Sequence, residues 1–267
     1  MKQLYFGSTD LPRFGILHTP PEGVHGDLGV VIVPPFANEY FRSYRSLKVL
    51  SDRIAKLGFP VFRFDYTGTG DSGGDDQDMS LARWREDLAD SLSLLGKETG
   101  VSRFQLVGRR LGAAMSLEAA AARSDIERVV LWDPIPSGKE YLEEIVEEHR
   151  TFVSMYRGVH GSIRESEDSP FRLEALGQCF PGAFVDELEA WDLRRGLELG
   201  SVNAMFIDTT ERGELEPYCR ALAAAGATVE YQHVHDPARK EPTNPIRVYI
   251  PNRVLRTITD GFAAVAS

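Results

Sequence analysis

The sequence predicts an α/β protein: a mainly parallel sheet with an N-terminal hairpin and an inserted helical segment. Three observations predict it. Short β-like runs alternate with helical-period segments along most of the 267 residues, and that alternation implies βαβ units with right-handed crossovers and helices on both faces of a sheet. Residues 29–33 form a continuous β-branched run, as expected of a strand buried on both sides. The rhythm breaks once, between Gly138 and Leu199, and then resumes.

Each element has a local reason. Residues 3–7 and 14–18, separated by Asp10-Leu11-Pro12, read as a hairpin, and a Gly- and Pro-rich loop at 20–27 leads into the strand at 29–33. Residues 44–57 place Leu47, Leu50, Ile54 and Leu57 at helical spacing, with Gly58 as the closing residue. A strand at 60–64, a helix at 81–95, a strand at 104–107, a helix at 111–122 and a strand at 127–132 continue the pattern. Residues 138–199 show no β-like run and read as helices at 140–156, 170–176 and 184–191. A strand at 202–207, a helix at 216–225, a strand at 228–234 and a helix at 254–265 complete the chain. Residues 1–137 and 200–267 are therefore expected to form the core, with 138–199 a helical lid over the site and not an independent domain.

Composition narrows the function classes. Thirty Lys and Arg against 40 Asp and Glu give a net charge of −10, which argues against nucleic acid as a partner, because affinity for it rests on cations neutralising phosphates. The longest apolar stretch, near residues 30–37, is far short of a membrane span, and the first residues lack the apolar run of a secretory signal; a cytoplasmic location and no membrane partner are expected. Cys179 and Cys219 have no metal or disulfide spacing and read as buried small apolar residues. No cofactor and no metal are expected, and the oligomeric state is left open.

In an α/β sheet the ligand site lies beyond the carboxyl ends of the strands. The strand ending at Val107 runs into Gly108-Arg109-Arg110-Leu111-Gly112 and then a helix. Glycines two residues either side of a central one are what a nucleophile elbow requires, since the central backbone is strained and its neighbours must lack side chains. The central residue here is Arg110. Together with Val33-Pro34-Pro35-Phe36-Ala37-Asn38-Glu39 and the turn Phe64-Asp65-Tyr66-Thr67-Gly68-Thr69-Gly70-Asp71-Ser72, this elbow makes the chain resemble the α/β-hydrolases, in particular their serine-aminopeptidase-like branch. The Pro-Pro-Phe strand end with Gly-X-Arg-X-Gly also resembles an exosortase-associated hydrolase-like group. A more distant resemblance is to bottromycin-type peptide epimerases, which lack the triad serine.

Arginine stays protonated and has no nucleophilic lone pair at neutral pH, so an acyl-enzyme cannot form at Arg110. The resemblance still implies an oxyanion site from backbone amides: Leu111 after the elbow, and Phe36 or Ala37 after the first parallel strand. Arg109 and Arg110 would offer forks to a carboxylate or phosphate. The second reading of Arg110 is that it folds away onto an acid of the lid and fills the site. The acid of a triad is expected near Asp208-Thr209-Thr210-Glu211, with Glu211 the better match by spacing. His233 and His235 lie near the place of the histidine and are candidate bases, though both sit earlier than a loop position would. His18, His25, His149 and His160 show no partner pattern. The acidic helix at 140–150 reads as amphipathic, its charges solvated and its apolar side facing the pocket, with Trp132, Tyr156, Phe180 and Trp191 as candidate aromatic walls. Residues 68–73 match G-x-G-x-x-G formally, but no helix begins there and the aspartates at 71, 75, 76 and 78 would repel a pyrophosphate, so a nucleotide site is not expected.

These readings lead to a non-hydrolytic enzyme, of epimerase, isomerase or cyclase type, acting on a carbonyl-containing peptide or natural product that can bear a carboxylate. Arg110, Glu211, His233 and His235 are its candidate catalytic residues. Phe36, Ala37, Leu111 and Arg109 are its candidate substrate-binding residues. The alternatives are a non-catalytic binding protein and a residual ester or amide hydrolase that activates water directly.

Overall fold

Strand β3 (Leu28–Val33) is buried at every residue and lies in the middle of an eight-stranded sheet. The computed structural model describes residues 1–23, 26–155, 171–194, 202–211, 213–236 and 250–266. β3 pairs in parallel with β4 (Val61–Phe64) and β5 (Arg103–Arg109). β1 (Lys2–Phe6) and β2 (Arg13–His18) form the antiparallel hairpin at one edge. β6 (Ile126–Trp132), β9 (Asn203–Asp208) and β10 (Thr228–His233) extend the parallel part to the other, giving the order β1-β2-β4-β3-β5-β6-β9-β10. Among the described residues, the fold class read from the sequence is the one observed.

Side chains alternate across a strand, so each strand feeds two cores. Val30 and Ile32 point to one face, where Leu47, Leu50 and Ile54 of α1 (Ala37–Ala55) and Val254, Leu255, Ile258 and Phe262 of α7 (Asn252–Ala266) cover them. Val31 and Val33 point to the opposite face, under Trp84, Leu88 and Leu92 of α2 (Leu81–Thr99) and the small residues of α3 (Leu111–Ala122). α6 (Glu216–Ala224) joins that side through Tyr218 and Leu222. α1 begins seven residues earlier than the apolar spacing indicated, because Glu39 and its polar neighbours carry no apolar period although they sit in its first turns.

The segment between β6 and β9 adds no strand to the large sheet. It carries α4 (Gly138–Met155), the antiparallel pair β7 (Phe171–Ala175) and β8 (Gln178–Pro181), and α5 (Gly182–Ala190). The helix expected at 170–176 is thus a strand. Leu173 and Ala175 are buried while Arg172 and Glu174 are exposed, a period of two, and Leu176-Gly177 turns the chain with φ of 54° and 78°, as a tight hairpin turn requires. Residues 156–170 and 195–199 of the expected lid lie outside the described residues.

Aromatic contacts hold this segment on the core. Phe36 has ring centroids 5.0 Å from Trp84, 5.5 Å from Phe180 of β8 and 5.3 Å from Phe184 of α5. Glu187 of α5 accepts the Leu81 N–H at 2.5 Å, capping the first turn of α2. Cys219 is buried and Cys179 only partly so.

Candidate active site at the arginine elbow

Arg110 is the residue between β5 and α3, and its backbone is strained at φ 53°, ψ −118°. Its N–H donates to the carbonyl of Trp132 at 2.9 Å, which ties the elbow to β6. A Cβ at Gly108 would overlap the Gly112 carbonyl and the Ala113 backbone, and one at Gly112 would overlap the Val33 and Pro34 carbonyls. The glycines therefore set the elbow geometry, whatever residue stands at its centre. Leu111 opens α3, while Phe36 is the N-cap of α1 and Ala37 its first residue, with φ 52°. Amides in a helix's first turn have no acceptor within the helix, and Leu111 and Ala37 each stand at such a position. The Phe36 side chain is fully engaged in the aromatic cluster.

No family model matches the chain. It is similar to the palmitoyl-protein thioesterase ABHD10, mitochondrial, of Homo sapiens and of Pongo abelii, each 30% identical over 97 residues, 36% of this chain and 30% of theirs. The Rattus norvegicus protein of the same name is 24% identical over 159 residues, 60% of this chain and 50% of its own. The chain thus spans half or less of the length of these curated relatives. Among solved structures, Est1E from Butyrivibrio proteoclasticus with ferulic acid bound superposes with a TM-score of 0.66 at 16% identity, covering 98% of this chain and 97% of that one. DcsB in complex with its substrate analogue gives 0.65 at 17%, covering 99% and 98%. The mouse α/β-hydrolase domain-containing protein 10 gives 0.58 at 17%, covering 99% and 100%.

The chain has the α/β-hydrolase fold. At the position where hydrolases of this fold would carry the nucleophile, Arg110 is 7% exposed and held by two carboxylates. Its Nε donates to Glu39 Oε1 at 2.7 Å, and its Nη2 pairs with Glu144 of α4. The Tyr141 hydroxyl donates to the other Glu39 oxygen at 2.7 Å, and the guanidinium lies 5.4 Å from the Tyr141 ring centre. Burial works against the charge of Arg110, but Glu39 and Glu144 outweigh it and hold the guanidinium pKa above its ordinary value. One helical turn on, Glu148 accepts from Arg42 Nη1 at 3.2 Å and Asn38 Nδ2 at 3.3 Å. The space between α1 and α4 is lined by residues 37–39, Tyr141, Glu144, Ile145, Glu148 and Leu176, and leaves about 20 Å³, room for about one water.

The α4 acids keep much of their surface in water, as read, with Glu140, Glu143, Glu144 and Glu147 exposed, and several of them also pair. Glu144 and Glu148 face guanidiniums across the α1–α4 groove, and Glu140 pairs with Arg194 at 2.9 Å. Arg109 is directed away from Arg110: it donates to Ser43 of α1, stacks 4.8 Å from the Trp132 ring centre, and its Nε lacks a hydrogen-bond partner among the described residues. Burial pushes its pKa down, with Glu39 and Asp133 opposing.

The residues expected as triad partners lie at the ends of β9 and β10, as their spacing indicated. Asp208 is fully buried and accepts from Thr210 N–H and hydroxyl, Leu215 N–H and the Tyr231 hydroxyl, all within 3.0 Å, which makes it a structural tie. Glu211 is exposed in the following turn. His233 is the last residue of β10, and its Nε2 lies 2.6 Å from the Thr210 carbonyl oxygen. β10 stands three strand positions from β5, roughly 14 Å at the usual strand spacing, and His233 is hydrogen-bonded to Thr210 and not to Arg110. His235 lies exposed two residues beyond.

Several other residues differ from their sequence reading. His18 is buried, its Nδ1 2.8 Å from Asp52 and its Nε2 accepting from Arg63 Nε at 3.1 Å. His149 Nδ1 accepts the Leu176 N–H at 3.0 Å. His25, His160 and Tyr156 lie outside the described residues. Trp132 lies beneath Arg109, and Phe180 and Trp191 pack in or against the core, not around a ligand cavity. The 68–73 turn is held by Asp65 and Ser72, with Asp71 N–H on Asp65 at 3.0 Å and Ser72 Oγ on the Asp65 carbonyl at 2.7 Å. Arg110 folds onto an acid of the α4 segment, as its second sequence reading had it, and Glu144 is that acid; sequence reading missed Glu39 and Tyr141 beside it, and Asp133, which accepts from Thr209 N–H at 2.7 Å. Among the described residues no group of His, Cys, Asp and Glu is arranged to hold a metal, and no helix is long and apolar enough to cross a membrane.

Proposed function

We propose that the protein acts non-hydrolytically on a carbonyl-containing small molecule or peptide, of epimerase, isomerase or cyclase type, with the carbonyl at the elbow amides and a ligand carboxylate on Arg110. The observation that carries this reading is the elbow itself. Its strained backbone and helix-start amides are retained, while the nucleophile's place is taken by a charged fork already paired with carboxylates. Donors aimed at a developing oxyanion stabilise an enolate as well as a tetrahedral intermediate. An arginine cannot be acylated, so the thioester and ester chemistry named for its relatives would need another route here.

In this reading Leu111 and Ala37 N–H groups hold the carbonyl oxygen, Arg110 orients the ligand, and His235 or a carboxylate of the ligand takes the α-proton. His233 and Glu211, at the ends of the same two strands, are the other candidates for the base. Closure of the 138–199 segment over the ligand would exclude water. A second reading, a binding protein without catalysis, is favoured by the small space left beside Arg110.

The test is exchange in heavy water. N-acyl dipeptides with a free carboxylate, incubated with the protein, are expected to gain deuterium at an α-carbon without cleavage, as read by NMR. Binding without exchange supports the second reading. Cleavage of a thioester by the unaltered chain would overturn both. Arg110→Ala should lower the exchange rate by more than it lowers affinity.

A further inference from the structure

Glu144 and Glu148 stand four residues apart on α4, on one face of the helix, and each carboxylate meets a different guanidinium of the core. Glu144 pairs with Arg110, and Glu148 pairs with Arg42 and takes a second hydrogen bond from Asn38. On the core side Arg110 pairs with Glu39, and Arg109 lies near Glu39 and Asp133; α4 adds two more carboxylates to this cluster of three arginines. The pairing is not tight throughout. The Glu144 side chain is 60% exposed, so water can take its place at little cost. Burial pushes the Glu148 carboxyl up, with Arg42 opposing and the nearby Glu39 adding to the rise.

We infer that the α1–α4 groove is a binding site for a diacidic ligand, and that Glu144 and Glu148 occupy its two anion positions as a built-in stand-in for that ligand. This rests on the proposed role of Arg110 as the ligand's carboxylate fork, and adds Arg42 with Asn38 as a second acid subsite. Residues four apart on a helix have Cβ atoms roughly 5–6 Å apart, so the matching ligand has two carboxylates, or a carboxylate and a phosphate, separated by two or three carbons. A singly charged ligand would fill only one position and leave the other guanidinium to its glutamate, and a neutral one would fill neither. The ligand enters as α4 shifts, and its two acids replace two protein acids with no net change of charge in the groove.

The experiment is calorimetric titration of the full chain with glutarate, butyrate and glutaramide, in the parent and in Glu144→Gln/Glu148→Gln. Glutamine keeps the shape and removes the competing charges. The double variant is expected to bind glutarate at least tenfold more tightly than the parent does, and at least tenfold more tightly than it binds butyrate. Glutaramide is expected not to bind. In that background Arg42→Gln should bring glutarate down to the affinity of butyrate, while Arg110→Gln should abolish both. Thermal unfolding of each variant confirms that it is folded, and the exposed Glu144→Gln alone serves if the double variant is not. Equal affinity for glutarate and butyrate, both lost with Arg110→Gln, overturns the diacid inference and leaves the carboxylate role of Arg110 standing. Binding of neither acid overturns the inference, and the heavy-water exchange then decides the proposed function by itself.

Discussion

Replacing Arg110 separates two effects that the elbow combines, a paired buried charge and a strained backbone. Arg110→Ala leaves Glu39, with 20% of its side chain exposed, without its ion-pair partner, with the Tyr141 hydroxyl and the more distant charge of Arg109 beside it. Breaking a buried pair from one side costs about 3–5 kcal/mol, and the partial exposure of Glu39 puts this case near the lower figure. Glu144, more than half exposed, adds about 0–1 kcal/mol. A loss of about 3 kcal/mol is expected, roughly 6–12 °C in Tm for a chain of this size. Adding Glu39→Gln should return about 2 kcal/mol of it, because no uncompensated carboxylate remains. Arg110→Gly removes the same guanidinium but frees the backbone from φ 53°, where a non-glycine residue costs about 1–3 kcal/mol. It should be about 1 kcal/mol more stable than Arg110→Ala after the unfolded-state entropy of glycine is deducted. Equilibrium urea unfolding with a common m-value measures all four proteins. An Arg110→Gly chain no more stable than Arg110→Ala would refute the strain argument. Failure of Glu39→Gln to rescue Arg110→Ala would refute the unpaired-charge argument.

Phe180→Ala removes a fully buried ring that meets Phe36, and should cost about 3–5 kcal/mol and make the 138–190 segment the first to be cut in limited proteolysis. Burial and the Arg63 guanidinium push the pKa of His18 below 6.5, since protonating Nε2 would set an N–H against the Arg63 donor. Above that value His18 is neutral in both states; as pH falls below it the unfolded chain takes up the proton first, so stability declines. His18→Gln should flatten that acid limb in urea unfolding between pH 7 and 5. Arg110→Ser should remain unlabelled by a fluorophosphonate, with occupancy at least a hundredfold below that of a serine esterase by mass spectrometry, because His233 is engaged by the Thr210 carbonyl and Asp208 by four donors from Thr210, Leu215 and Tyr231, which leaves no assembled His–acid pair to activate the serine; labelling would show that such a pair does form at the elbow.

The strand and helix order was legible because buried parallel strands are continuous apolar runs and their helices keep a 3.6-residue period, both local properties. Residues 111–122 were read with the bounds that α3 has. The β7–β8 pair was missed because the seven residues 170–176, with Leu173 and Leu176, fit a helical face as well as a strand, and only the turn at Gly177 separates them. The elbow was legible from its two glycines, whose requirement is steric and fixed by neighbours in sequence. The partners of Arg110 were not, since Glu39 and Glu144 come from helices 71 and 34 residues away. A row of glutamates on an amphipathic helix carries no mark that tells a solvated acid from a paired one. What could have flagged them is charge balance: an arginine forced into a buried elbow has to find carboxylates, and those nearest are in the first turn of α1 and along α4.

That requirement also explains why the elbow can survive without its nucleophile. The strained φ of Arg110 comes from Gly108 and Gly112 packing against Ala113, Val33 and Pro34, contacts that do not involve the central side chain. Its amide bond to Trp132 is likewise backbone. The elbow backbone is therefore independent of the side chain at its centre. A guanidinium there has an electrostatic consequence: a serine elbow is neutral, whereas an arginine elbow is cationic and calls for carboxylates to neutralise it. Glu39 and Glu144 supply them, and they differ in exposure, 20% for Glu39 against 60% for Glu144. In the proposed reading an acidic ligand therefore competes with Glu144, the more exposed of the two, while Glu39 stays part of the elbow.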